Sequence, residues 1–182
     1  AMAGHTFYVL TCADLTVCYD LTTRKWHERK SYGLNRWRVQ GYARSGSLHI
    51  VGNYNGNNLW ELDLATYAAG SDPLVREVID PPLSADPRPI FVHEMYFDAE
   101  VGVGLTSGQG SDPKVLLDYS DDDGRTYSSD IEIGLGAIGL YRYRANVTRL
   151  GRSRNRSYRW RISDPVKVAI LGGAARLEVG TA

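Results

Sequence analysis

"TFYVLTCADLTVCYDLTT", residues 6–23, and "HIVGNYNGNNLWELDLAT", residues 49–66, are two copies of one pattern. Aligned without gaps, Asp20-Leu21 falls on Asp63-Leu64, Thr23 on Thr66 and the turn Ala13-Asp14 on Gly56-Asn57, an offset of 43 residues. Repeats of roughly 40 to 50 residues built from short strands are the signature of propeller blades. Around the second copy, "WRVQGYA" (37–43), "LHIVGNY" (48–54), "NLWELDL" (58–64) and "LVREVI" (74–79) predict four antiparallel strands, separated by Ser45-Gly46, Asn55-Gly56 and the loop "AAGSDP". Four such strands joined in sequence order make one blade. The first copy predicts three, "TFYVLTC", "LTVCYDL" and "RKWHER", and lacks the innermost strand ahead of Thr6.

Ala1-Met2-Ala3 sets an alanine before the methionine and is read as a tag-cleavage scar, consistent with a chain cut one strand into a blade. "DPPLSADPRP" (80–89) follows the repeats, and its prolines, which cannot donate to a strand ladder, mark a connector. Beyond it come "IFVHEMYFD" (90–98), "VGVGLTS" (101–107), "KVLLDYS" (114–120), "TYSSDIEI" (126–133), "GLYRYRANVTRL" (139–150), "RSYRWRIS" (156–163), "VKVAIL" (166–171) and "ARLEV" (175–179), all strand-like. The expected organisation is a scar at 1–3, propeller-type blades over 4–80 (one incomplete, one complete), a connector at 81–89 and a C-terminal β domain over 90–182. The fold class is all-β, a partial β-propeller of antiparallel four-stranded blades, with the C-terminal half open between further blades and a β-sandwich.

Twenty-one basic and 21 acidic residues cancel across 182 positions, so bulk charge selects no partner. No apolar run approaches a membrane span, which predicts a soluble chain with no membrane partner. Cys12 and Cys18 flank the Ala13-Asp14 turn; a two-residue hairpin sets Cys12 against Leu15 and Cys18 against Val9, predicting free thiols.

Two segments concentrate charge. Ser120-Asp121-Asp122-Asp123-Gly124-Arg125-Thr126-Tyr127 fits Ser-x-Asp-x-Gly-x-Thr-aromatic and is similar to the Asp box, the hairpin turn between the third and fourth strands of sialidase-like blades. Asp122 is expected to accept backbone N–H bonds and Gly124 to supply a positive φ. Thr126 and Tyr127 then start the returning strand with the ring inward, and Asp121 and Asp123 are solvated flanks. A calcium loop ending at Gly124 would need ligands at 119, 121 and 123; position 119 is a tyrosine, and no metal or other cofactor is expected. The second segment, "YRYRANVTRLGRSRNRSYRWR" (141–161), holds eight arginines and no acid. Alternation puts Arg142 and Arg144 on one strand face, and Arg159 and Arg161 on one face of the next with Tyr158, Trp160 and Ile162 opposite. These four are the candidate interface or phosphate-facing residues; in a hairpin they would stand side by side, with Asp130 and Glu132 placed to balance Arg142 and Arg144. The histidines at 5, 27, 49 and 93 lack metal-ligand spacing, and no catalytic constellation emerges.

"DPKVLLDYSDDDGRTYS" and "IGLGAIGLYRYRANVTRLGRSRNRSYRWRISDPVKVAILGG" together resemble the C-terminal part of the tailed-bacteriophage packaged-DNA stabilisation proteins, a head-completion and tail-accessory family, with "RLGRSRNRSYRWRISDPVK" (149–167) the most specific run. The resemblance implies a non-enzymatic virion protein at the head–tail junction, made in the bacterial cytoplasm. Several copies would assemble beneath the portal ring, close the channel against DNA loss and seat tail components. It implies portal, adaptor and tail proteins as partners, with homo-oligomerisation and a weak DNA contact by the arginine face left open. The rival expectation from the Asp box is a sialidase-like carbohydrate-binding or glycosidase fragment.

Overall fold

The computed structural model describes residues 2–100 and 102–181; Ala1 of the expected scar and Val101 of the expected strand 101–107 lie outside them. The chain forms two compact units, Ala1–Thr66 and Tyr67–Ala182.

The first unit holds two three-stranded antiparallel sheets. One is β1 (Phe7–Thr11), β2 (Thr16–Asp20) and β3 (Lys25–Glu28); the other is β4 (Val39–Ser45), β5 (Leu48–Asn53) and β6 (Leu59–Glu61). The repeat is visible in hydrogen bonds. Asp20 Oδ1 accepts the Thr22 N–H and its Oδ2 the Thr23 hydroxyl, while Asp63 Oδ1 accepts the Ala65 N–H and its Oδ2 the Thr66 hydroxyl. Burial alone would raise the Asp20 pKa, but the bonds from Thr23, His5 and Thr22 prevail and hold it at about 2. The gapless alignment fails at the hairpins. Ala13-Asp14 is a two-residue turn closed by the Cys12 N–H on the Leu15 carbonyl, whereas the second copy spans four residues between Asn53 and Asn58. The pair Val9–Cys18 therefore corresponds to Ile50–Glu61, so the offset is 43 for the second strand and two less for the first. Cys12 and Cys18 are free thiols.

A cleft of about 470 Å³ between the two sheets is lined by Phe7, Val9 and Thr11 of β1 and by His49 and Val51 of β5. Because Val9 corresponds to Ile50, the second sheet meets the first with the opposite face from the one the first sheet offers. The two sheets stack front to back, as successive members of a series do.

The second unit is two sheets enclosing one core. In the larger, β15 (Asn155–Ile162) pairs with β12 (Lys114–Ser120), β9 (Arg76–Ile79) and β10 (Leu83–Ser84), and β13 (Ile131–Gly134) extends β12. In the smaller, β11 (Ile90–Ala99) lies between β14 (Ala145–Ser153) and β16 (Ile170–Val179); β7 (Ala68–Ala69) and β8 (Asp72–Pro73) form a separate ribbon. Alternating residues turn inward from both sheets: Ile90, Val92, Met95 and Phe97 from one, Val115, Leu117, Tyr158, Trp160 and Ile162 from the other. The Phe97 and Trp160 rings stack across the gap at 5.0 Å, and the Trp160 indole N–H donates to Asp80.

Several expectations are corrected. The strand expected to complete the second repeat, 74–79, instead joins the C-terminal unit, where β9 pairs with β15. Its charged and apolar alternation matches β15, since Glu77 lies opposite Arg161 and Val78 opposite Trp160. Leu83-Ser84 of the proline-rich connector also adds to β15. Residues 102–107 form no strand because Gly102 (φ 75°) turns the chain and the Leu105 N–H closes a loop on the Gly110 carbonyl. Of the expected strands 166–171 and 175–179, residues 166–169 stay outside any strand and the rest run together in one, β16. The two arginine strands do not form a hairpin, the condition under which their arginines would stand side by side: β14 pairs with β11 and β15 with β12, so the chain changes sheets at Arg154.

Truncating a stacked aromatic between two sheets removes a large fraction of the core contact. Phe97→Ala is expected to destabilise the C-terminal unit by about 3–5 kcal/mol, read as a lower denaturant midpoint of the Trp160 fluorescence transition; a loss below about 1 kcal/mol would contradict this core assignment.

Candidate functional site

The acidic turn and the arginine strand meet at one end of β12 and β15. Ser120 closes the turn from within, its hydroxyl donating to Asp122 Oδ1 at 2.8 Å and accepting the Gly124 N–H at 2.8 Å. Asp122 Oδ1 also accepts the N–H groups of Arg125 and Thr126, and Oδ2 accepts the Thr126 hydroxyl at 2.6 Å. Gly124 takes φ 85°, and Asp123 takes φ 60°, a left-handed conformation that aspartate tolerates better than most residues. The Thr126 bonds, then the Ser120 hydroxyl, bring the Asp122 carboxyl down to about 2.

The remaining acids of the turn are exposed, as expected of its flanks, and each also holds a partner. Asp121 accepts from Nε and Nη2 of Arg156, at 2.6 and 2.7 Å, and Asp123 Oδ1 accepts the Asn155 amide at 2.8 Å. The three adjacent carboxylates thus serve three different partners. The return strand begins at Ile131 rather than Thr126, and the Tyr127 ring lies under the Arg159 guanidinium at 3.6 Å rather than in the core.

Arg156 shares the inward parity of Tyr158, Trp160 and Ile162, and its side chain is only 6% exposed. It stacks on Tyr119 at 3.8 Å and donates from Nη1 to the Leu150 carbonyl at 2.6 Å. The bond to Asp121 raises its pKa. Arg159 and Arg161 stand on the outer face, as alternation predicts. Both converge on Asp118, whose side chain is 0% exposed: Arg159 donates at 2.9 and 2.6 Å and Arg161 at 2.8 Å. Burial would raise the Asp118 pKa, but the Arg159 hydrogen bond and the charges of Arg159 and Arg161 outweigh it and lower it. Arg161 also bonds Asp130, and Glu77 lies 4.0 Å from Arg159.

Arg142 and Arg144 are not beside this pair. They sit on the loop before β14, whose strand begins only at Ala145, and Arg144 lies over Tyr96 at 4.0 Å and 3.8 Å from Asp98. Asp130 pairs with Arg161 and Glu132 with Lys114, rather than with Arg142 and Arg144. The loop carries what the strand-by-strand reading missed. Ile138, Leu140, Tyr141 (73% exposed) and Tyr143 are exposed, and Tyr141, Tyr143, Arg144 and Leu171 (77% exposed) share a shallow recess with Phe97 and Asp98. The signal was present as Ile-x-Leu-Tyr-x-Tyr in a glycine-flanked segment, a composition suited to a presented loop.

Residues 76–178, more than half of the chain, match the family described as Bacteriophage P22 Gp10, beta-sandwich. The chain belongs to the bacteriophage P22 Gp10 family. The matched region begins at β9 and ends within β16, so it covers nearly all of the two-sheet unit, including the strands that the connector and the 74–79 segment contribute. No curated protein matches the chain.

Two outcomes are expected at the Gp10-family turn. The Asp122 carboxyl carbon should titrate near pH 2 rather than near 4; because its folded pKa is depressed, its contribution to stability is complete above about pH 4 and fades as pH falls toward 2. A midpoint at 4 in a carbon-detected titration would refute the turn bonding. Asp121→Ala leaves Arg156 buried without its carboxylate and should cost about 1–3 kcal/mol in chemical denaturation, the partial exposure of Asp121 reducing the figure for a fully buried pair.

Proposed function

We propose that the chain is a structural component of the phage virion at the head–tail junction, where it helps retain packaged DNA by closing the portal channel through protein–protein interfaces and not through catalysis. The observation that carries this reading is the match of residues 76–178 to the P22 Gp10 family. Portal or adaptor proteins and tail components are the proposed partners, with further copies of the chain in the same assembly, and the virion is the proposed location.

The front-to-back stacking of the two N-terminal sheets and the paired Asp20 and Asp63 turns support reading that unit as consecutive propeller-type blades. Ser120, Asp122, Gly124, Thr126 and Tyr127 are read as an Asp-box turn with an architectural role, a reading that rests on the bonds converging on Asp122. Among the four arginines first singled out, Arg159 and Arg161 spend their charge on Asp118, which favours a stabilising role for them. Arg142, on the exposed aromatic loop, and Arg144, held against Tyr96, are better placed for a partner. Tyrosine, arginine and leucine at a protruding loop have the composition of interface hot spots.

Phage carrying Tyr141→Ala or Leu171→Asp should package DNA and then lose it. The variant chains should retain the wild-type circular dichroism spectrum, and affinity for the partner should fall by about 2 kcal/mol or more. Full DNA retention in both variants would overturn the interface role of this loop.

A further inference from the structure

Strand β1 is the edge of its sheet, and the repeat shows what such an edge carries. Since Val9–Cys18 corresponds to Ile50–Glu61, Phe7, Val9 and Thr11 correspond to Leu48, Ile50 and Gly52 of β5. In β5 these three residues pair with Ser45, Ala43 and Gly41 of β4. Among the described residues no strand takes that place beside β1.

The main chain of β1 is oriented for one. The Leu21 N–H bonds the Thr6 carbonyl and the Cys12 N–H bonds the Leu15 carbonyl, so antiparallel alternation turns Thr6, Tyr8, Leu10 and Cys12 toward β2. The N–H and C=O groups of Phe7, Val9 and Thr11 then point to the open side. The composition of the edge agrees. Folded proteins blunt exposed edges with charge, proline or bulges. The other edge of this sheet, β3, reads Lys-Trp-His-Glu, and β4, the free edge of the neighbouring sheet, is interrupted by a bulge between Val39 and Gly41 and carries Arg44. β1 reads Phe-Tyr-Val-Leu-Thr with no charge, no proline and no bulge in its pairing to β2. The cleft beside it leaves about 470 Å³ for side chains on the Phe7, Val9 and Thr11 face.

We propose that the free edge of β1 is an acceptor site for one further antiparallel strand of β4 chemistry, uncharged and small at the paired positions, whose main chain bonds Phe7, Val9 and Thr11. The site is independent of the virion reading, because it rests only on the first unit and its internal repeat.

The test uses the full chain with the β4 sequence, residues 37–45 (WRVQGYARS), fused ahead of Ala1 through a flexible Gly-Ser linker, which holds the strand at about millimolar effective concentration. Amide exchange is then measured by NMR. Exchange at Phe7, Val9 and Thr11 should slow by about tenfold or more, with little change at Tyr8 and Leu10, which already bond β2. A scrambled tether should give no slowing. Val9→Pro removes an N–H that faces the open side and spares the β1–β2 ladder, so it should fold and abolish the protection. If that variant does not fold, the untethered peptide, N-methylated at its Ala43 equivalent, should lose the protection that the unmethylated peptide gives at millimolar concentration. Equal protection by the scrambled tether, no protection by the intended one, or concentration-dependent dimers of the untethered chain that shield the same three amides would each overturn the proposal.

Discussion

A guanidinium buried between two sheets is the constraint around which the C-terminal unit is arranged. Arg156 belongs to β15, yet its Nη1 bonds the Leu150 carbonyl of β14, a strand of the opposite sheet. Its other nitrogens take the Asp121 carboxylate, and its plane covers the Tyr119 ring. Desolvating a charge of this kind costs several kcal/mol unless each donor is met. The turn after β12 must therefore present Asp121 at one point, and the chain must change sheets between Ser153 and Asn155 so that Leu150 returns over Arg156. The Asp122 bonds that fix the turn matter for this reason: they hold its neighbour, Asp121, where the arginine requires it.

Much of the C-terminal unit was legible from strand parity. Tyr158, Trp160 and Ile162 are inward and Arg159 and Arg161 outward, as period-two alternation demands. Arg156 shares that inward parity, and the buried cation takes as its carboxylate partner Asp121, which stays exposed on its outer side. Pairing was the illegible part. Nothing in residues 145–162 distinguishes a hairpin from a strand that switches sheets, because both need the same turn at Arg154. In the N-terminal unit the Asp-Leu-x-Thr turns were legible because their side chains bond locally, Asp20 to Thr23 and Asp63 to Thr66. The two-residue difference between the hairpins was hidden, since the loop Tyr54–Asn57 is two residues longer than the turn Ala13-Asp14 and a gapless match conceals it. Segment 74–79 misled for a related reason. An alternating strand fits any sheet, and β15 offered it complementary charge and apolar surface.

The arginine-rich segment illustrates why composition alone is a poor guide to charge. Eight arginines within 141–161 suggest a basic face. Three of them are spent internally: Arg156 on Asp121, and Arg159 and Arg161 on a fully buried Asp118 shared between them. Asp118 accepts three donated bonds, so its negative charge is stabilised by geometry rather than by water. A polyanion approaching this face would have to compete with Asp118, Asp130 and Glu77 for the same donors. The side chains left uncommitted are at the margin of the strands, where Tyr141 and Leu171 are exposed and Arg142 has no carboxylate holding it among the described residues. A sheet that neutralises its own arginines gains a rigid platform, and the loop on that platform retains the aromatic and cationic side chains that a protein partner can bury.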